Sequence, residues 1–289
     1  MSDIKDFKCT YDNSVGINEE VTSKLNLEFP DAYMHSDTMV ILAKALKEVD
    51  NASFCELPFC HTVEAEAMGG IINYGNEKIG PRAKEYICTN VEEILELKDM
   101  DFSKGRIHEL LLACQTLRQE GENVVLEVAG PFTVLNVLID AKYVFKTLRK
   151  QPELMKKVFW KIGNELLKYI AEAQKYGVNM ISYADSSGGV NILGPKLAEQ
   201  VVNDFTYEFL TKLSDIITDE TIVLLCPKTT FALLGTEKAE FVDVKLPSPM
   251  RYGEACSWII GKEKFLGQMC IKNINYTLEN GICKVVRLK

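Results

Sequence analysis

The stretch QPELMKKVFWKIGNELLKYIAEAQKYGVNMISYAD, residues 151–185, decides the fold, because it reads as one helix running directly into one strand. Pro152 stands where a first helical turn tolerates a missing N–H, and Gly177 stands where a helix stops. Between them Met155, Phe159, Ile162, Leu166, Ile170 and Ala173 recur at spacings of three and four, forming one apolar stripe. VNMISYAD (178–185) is short and apolar nearly throughout, the pattern of a strand buried on both faces.

The same unit recurs along the chain. GPKLAEQVVNDFTYEFLTKLSDII (194–217) repeats the helical design, opening at Pro195. Strand-like runs are ASFCELPF (52–59), GGIINYG (69–75), NVVLEVAG (123–130), VNMISYAD, TIVLLCP (221–227), EFVDVKL (240–246), KFLGQMC (264–270) and ICKVVRLK (282–289). Eight strands alternating with helices in 289 residues favour a (β/α)8 TIM barrel. An open doubly wound sheet is the alternative, and no G-x-G-x-x-G supports it. The reading is a single α/β barrel domain over residues 1–289, with residues 1–50 a helical segment covering the barrel.

Bulk properties narrow the function. A composition 47% hydrophobic and 26% charged suits a globular protein with a substantial core. A net charge of -8 argues against a nucleic-acid partner, which calls for a basic face. No apolar run reaches the length of a membrane span, and the start, MSDIKDFKCTYDNS, lacks the layout of a secretory signal. Nine cysteines scattered singly read as reduced thiols of a cytoplasmic protein.

In a barrel of this kind the chemistry lies at the carboxyl ends of the strands. Those ends carry Cys60, His61 and Thr62, then Thr133 behind Gly130, then Asp185 and Ser186, then Cys226 with Lys228, then Cys270. Cys226 closes a very apolar strand, where a thiolate suits zinc; the plain alternative is a buried small hydrophobe. Asp185 precedes a Gly pair and reads either as a functional carboxylate or as a helix cap. Lys228 either neutralises an anionic ligand or is solvated. Glu64 lies three residues from His61, within reach on a helix, and His61 reads equally as an ordinary first-turn histidine.

FPDAYMHSDTMVILAKAL (29–46), LPFCHTVEAEAMGG (57–70), GPFTVL (130–135), YGVNMISYADSSGG (176–189), LGPKLAEQVV (193–202) and FLGQ (265–268) together resemble the uroporphyrinogen decarboxylase superfamily. Within it they resemble the methylcobamide:coenzyme M methyltransferase branch, PFCHTVEAEAMGG most specifically. No arginine precedes Arg82, so the arginine-rich motif that decarboxylases use for tetrapyrrole carboxylates is missing and decarboxylation is disfavoured.

The resemblance implies a corrinoid-dependent methyltransferase. It moves a methyl group between a methylated corrinoid protein and a small acceptor such as a thiol, with methylcobalamin or another corrinoid as carrier and zinc activating the thiol. It also implies a monomer or a homodimer. Asp185, Glu64 and His61 are the expected catalytic residues, and Cys60, Thr133, Ser186 and Lys228 the expected substrate contacts. The branch's zinc ligands are a His-x-Cys pair after the fifth strand and a Cys after the eighth. Cys226 matches the first cysteine, but Leu224 occupies the histidine position, and the sequence stops at Lys289, before the distal cysteine. Cys226 and Cys270 are the expected zinc ligands that remain, with Cys283, His61, Cys60 or Glu64 as substitutes. Two other readings stand beside this one. A zinc-free paralogue would bind a corrinoid or methyl donor without transfer, and a metal-free transfer would use Glu64 or Asp185 as a general acid.

Overall fold

The computed structural model describes residues 4–7 and 16–289. Its seven-stranded sheet comprises β1 (Cys55–Leu57), β2 (Val124–Ala129), β3 (Met180–Ala184), β4 (Ile222–Leu225), β5 (Ala239–Lys245), β6 (Phe265–Leu266) and β7 (Ile282–Leu288), in the order β1-β2-β3-β4-β6-β7-β5. The β1–β2, β2–β3, β3–β4 and β4–β6 pairs are parallel. Their crossovers carry helices, as in a barrel of alternating strands and helices. The major ones are α1 (Ser36–Val49) ahead of β1, α2 (Val63–Ala67) and α3 (Gly105–Gln119) before β2, and α4 (Pro131–Leu138) and α5 (Pro152–Lys175) before β3. After β4 come α6 (Pro227–Gly235) and, beyond β5, α7 (Tyr252–Ile259).

Strand pleating sorts the side chains into two layers. Cys55, Leu57, Val124, Leu126, Val128, Ile181, Tyr183, Val223 and Leu225 join one core with the surrounding helices. The alternate residues Phe54, Val125, Met180, Ile222, Leu224, Leu266 and Val285 form a second core with Tyr252, Cys256 and Ile259 of α7. The parallel strands are thus buried on both faces, which is why they read as continuous apolar runs.

The barrel-type order expected from sequence is present, with three local departures. GGIINYG forms Ile71–Asn73, which pairs antiparallel with Arg82–Glu85 in a separate two-stranded ribbon outside the main sheet. EFVDVKL and ICKVVRLK, as β5 and β7, pair antiparallel with each other over seven residue pairs. Among the described residues no ladder joins β5 back to β1, so seven strands rather than eight form the sheet, and α7 packs on its inner face. Among the described residues no helix is long and apolar enough to cross a membrane.

α5 spans Pro152–Lys175, as its stripe predicts, and Met155, Phe159, Ile162, Leu166 and Ile170 are all buried. The 194–217 segment is helical over Pro195–Val201 and Tyr207–Ile216, joined by a π turn at Val202–Thr206. Ahead of β1, α1 is tied to α3 by Ser36 N donating to Glu109 Oε2 at 2.8 Å and by the Lys44–Glu120 ion pair. Part of the 1–50 segment, residues 1–3 and 8–15, lies outside the described residues.

Candidate functional site

β1 and β2 each place a carboxylate, Glu56 and Glu127, on the inner layer of the sheet. Glu56 sits in register with Val125, and Glu127 stands two residues further along the same face. Lys272, on the single turn Ile271–Asn273 behind β6, bridges them: its Nζ contacts Glu56 Oε1 and lies 3.1 Å from Glu127 Oε1. The second oxygen of Glu127 lies 3.8 Å from His61 Nδ1. These four side chains, with Cys60, Phe54 and Phe59, line a cavity of about 420 Å³. That volume lies within the ordinary range of small-molecule sites.

Burial shifts two members of this group, Glu56 and His61. Desolvation pushes the Glu56 carboxyl up to about 8, with Glu127 adding to the rise and Lys272 opposing it. Desolvation lowers His61, so its imidazole is neutral near neutral pH. A neutral imidazole keeps one ring nitrogen able to accept a proton.

The loop and first turn behind β1 build a second polar layer. Arg106, buried on α3, donates from Nε to Glu66 Oε2 at 2.7 Å, from Nη2 to Thr62 Oγ1 at 2.6 Å and from Nη1 to Cys60 Sγ at 3.2 Å. Tyr74 closes the cluster by donating to Glu66 Oε1 at 2.7 Å. Arg106 therefore fixes the Cys60–Glu66 elbow and holds Cys60 at the cavity wall. Glu64 is 1% exposed, and its Oε1 accepts from Ala129 N at 2.8 Å. Its Oε2 has no partner among the described residues, and burial raises its carboxyl. Glu64 acts on His61 through space, opposing the fall that burial causes, while its Oε1 is held at the end of β2 and Glu127 Oε2 lies 3.8 Å from His61 Nδ1.

The other expected residues gather elsewhere. Asp185 accepts from Phe132 N at 3.2 Å and from Thr133 N and Oγ1 at 2.9 and 3.1 Å, satisfying donors at the start of α4. Burial pushes its carboxyl up to about 6, against these hydrogen bonds. A β-carbon on Gly130 would lie 2.3 Å from Asp185 Cβ, so this close approach requires glycine. Lys228 donates from Nζ to the Ser186 carbonyl at 3.2 Å and shares a recess of about 30 Å³ with Asp185 and Tyr183. Thr133, Asp185, Ser186 and Lys228 thus form a group that does not line the larger cavity. Of the expected residues, only Cys60 and His61 line it.

The expected zinc ligands do not complete a metal site. Cys226 is the residue ahead of α6, its N–H donating to the Tyr183 carbonyl at 3.0 Å, while Cys270 precedes the turn that carries Lys272. Leu224, at the position where the resemblance calls for histidine, is packed in the apolar inner core beside Leu266 and Tyr252. Cys283 is fully buried in that core, and burial pushes its thiol up to about 12. Among the described residues no group of three or more His, Cys, Asp and Glu side chains is placed to hold a metal ion. A zinc ion needs at least three protein donors and so does not fit this set.

Glu56, Glu127, Lys272 and Arg106 were not singled out from sequence. A signal existed for Glu127: it is a charge in the middle of NVVLEVAG, where a doubly buried strand admits one only with a partner. Lys272 carried none, since its partners lie 145 and 216 positions away.

Comparisons with known proteins bear on the same regions. The chain is 26% identical over 219 residues to the methylcobamide:CoM methyltransferase MtaA of Methanosarcina barkeri, covering 74% of this chain and 63% of that protein. It is 22% identical over 213 residues to the methylcobamide:CoM methyltransferase MtbA of Methanosarcina acetivorans, covering 73% and 62%. The chain thus spans somewhat under two thirds of the length of these curated relatives. A solved structure of a methyltransferase from Methanosarcina mazei superposes with a TM-score of 0.59 at 21% identity, covering 77% of this chain and 70% of that one, which shows a shared fold. Residues 16–244 match the uroporphyrinogen decarboxylase (URO-D) family. On that match, which takes in Glu56, His61, Glu127, Asp185 and Lys228 but not Lys272, the chain belongs to the uroporphyrinogen decarboxylase family.

Proposed function

We propose that the protein is a corrinoid-dependent methyltransferase that moves a methyl group between a methylated corrinoid protein and a small acceptor such as a thiol. The observation that carries this reading is the His61–Glu127–Lys272–Glu56 chain on the wall of the 420 Å³ cavity. Likeness to methylcobamide methyltransferases supports it as well. The chain is taken as one barrel domain, with the helices before residue 50 covering one end of it.

The mechanism belongs to this chain's own residues. A thiol acceptor bound in the cavity gives its proton to His61 Nε2, and its sulfur attacks the methyl carbon of the methylated corrinoid protein, whose cobalt–carbon bond breaks with the electron pair staying on the corrinoid. Glu127 orients the imidazole and stabilises the imidazolium as it forms, while Lys272 and Glu56 hold Glu127 in place. Cys60, positioned by Arg106 and Thr62, contacts the small molecule. Asp185, with Thr133, sets the start of α4, and no step passes through zinc.

The test is demethylation of methylcobalamin by small thiols, followed by the change in its visible spectrum, with and without a chelator. The expected result is chelator-resistant turnover that falls about a hundredfold in His61→Gln, the size of a lost general base. Turnover abolished by the chelator and restored by zinc sinks the metal-free mechanism. A second reading, a paralogue that binds a corrinoid without transferring methyl, is favoured by Leu224 in its apolar setting. Methylcobalamin binding with no demethylation by any thiol would support it.

A further inference from the structure

The chain is acidic as a whole, with a net charge of -8, yet one stretch of its surface has the opposite sign. Residues 141–157 carry Lys142, Lys146, Arg149, Lys150, Lys156 and Lys157 against the single carboxylate of Glu153. The first four fall at i, i+4, i+7 and i+8 on the helix Ala141–Lys150, and all are exposed, while Val144 and Leu148 are buried on its other side. Lys142 is matched by Asp140 at 2.8 Å, but the other five cations have no ion pair among the described residues. The residues outside that range add only Asp3, Lys8 and Asp12 to the charged side chains, too few to reverse the sign.

An apolar recess of about 220 Å³ adjoins this stripe, lined by Phe132, Val144, Phe145 and Ile192 with Asn136 and Ser187. Phe145 stands four residues ahead of Arg149 on the same helix, and Ile192 is 47% exposed. α4 leaves the carboxyl end of β2 directly, and Ser187 follows the carboxyl end of β3. The recess thus lies at the end of the parallel strands where His61 also leaves β1, the end at which barrels of this kind meet their substrates. It is smaller than the roughly 300 Å³ at which small-molecule sites begin, so it suits one inserted side chain better than a cofactor. An apolar recess with charge at its rim is the anatomy of a protein interface. A bilayer is disfavoured because the apolar side of the helix is already buried in the protein.

We propose that the Lys146–Arg149–Lys150 stripe and the Phe145–Ile192 recess form the surface on which the corrinoid protein docks, through an acidic patch of that partner that surrounds an apolar side chain. The inference rests on the methyl-transfer reading and names the contact that its macromolecular partner makes. Opposite charge speeds the encounter and fixes its orientation, and the apolar side chain in the recess anchors it. The partner is thereby held at the carboxyl ends of the strands, where it must present its methyl group.

The probe is a corrinoid protein purified from the source cell by its visible absorbance and methylated at cobalt. Its binding to the full chain is read by sedimentation velocity at the corrinoid band. The triple variant Lys146→Glu, Arg149→Glu, Lys150→Glu should bind it at least about tenfold more weakly, and Ile192→Glu should weaken it as well. Wild-type affinity should fall as salt is raised, and that of the triple variant should not. Both variants should demethylate free methylcobalamin with thiols at the wild-type rate, which separates docking from folding and from chemistry. No binding by the wild type, equal affinity in wild type and triple variant, or a charge-reversal effect confined to phosphatidylserine vesicles or to RNA overturns the proposal. Salt-sensitive, variant-sensitive binding without methyl transfer from either donor leaves the docking surface standing and removes the methyltransferase reading. Demethylation of free methylcobalamin without variant-sensitive binding of the corrinoid protein does the reverse.

Discussion

Arg106 shows how one residue can organise a site without lining its cavity. Its guanidinium is buried and reaches three acceptors on the loop and turn behind β1, so that it sets where Cys60 stands. Arg106→Ala leaves Glu66 with only the Tyr74 hydroxyl and opens a cavity beside it. We expect a loss of about 3–5 kcal/mol, the scale of a broken buried ion pair, read from the urea midpoint. Arg106→Lys keeps the charge but cannot span Thr62, Glu66 and Cys60 at once, so it should recover only part of that loss. Asp185 is a residue of the other kind. It accepts three hydrogen bonds at the start of α4, and Asp185→Ala should cost about 1–2 kcal/mol, as loss of a helix cap does, measured by the same midpoint.

At the scale of the element, α5 and the strands differ in how well they can be read. The α5 stripe is legible because a helix that buries one face must repeat near 3.6 residues. Gly163 sits within that stripe, where an exposed glycine-to-alanine change would stabilise the helix by up to about 1 kcal/mol. Here a β-carbon would lie 2.6 Å from the Phe205 ring and 3.4 Å from Phe209. Packing should win: Gly163→Ala is expected to destabilise by about 1–3 kcal/mol, read by chemical denaturation, with an unchanged m value. GGIINYG shares its apolar content with true barrel strands yet lies in a ribbon, with Ile71 40% exposed. Run length and composition cannot separate the two cases, because both pack a pleated backbone. EFVDVKL did carry a warning. Its Asp243 and Lys245, two apart on one face, mark a strand with a solvated side, which suits an antiparallel edge better than a barrel interior.

At the scale of the whole molecule, the Glu56–Lys272–Glu127 group ties the first strand to a turn more than two hundred residues later. Its titration is therefore a property of the global fold. The folded-state value of Glu56 lies above its ordinary value of 4.5, at about 8. Its contribution to stability is complete below about pH 4.5 and is lost as pH rises through about 8. The wild-type melting temperature should fall across that window, and Glu56→Gln should flatten the fall. Equal slopes in the two proteins would remove Glu56 as its source.

The amino-acid sequence by itself determined the helix stripes, the doubly buried strands, their alternation and the β1 exit carrying Cys60 and His61, because each is written in short-range periodicity. Only the tertiary structure decided that His61 comes near Glu127, that Asp185 accepts hydrogen bonds from the start of α4, and that Leu224 lies in an apolar core at the position where the resemblance calls for a zinc ligand. It also decided that Lys272 closes the polar chain. Each of these depends on which side chains from distant strands meet on the inner face of the sheet, and on burial that no local pattern records.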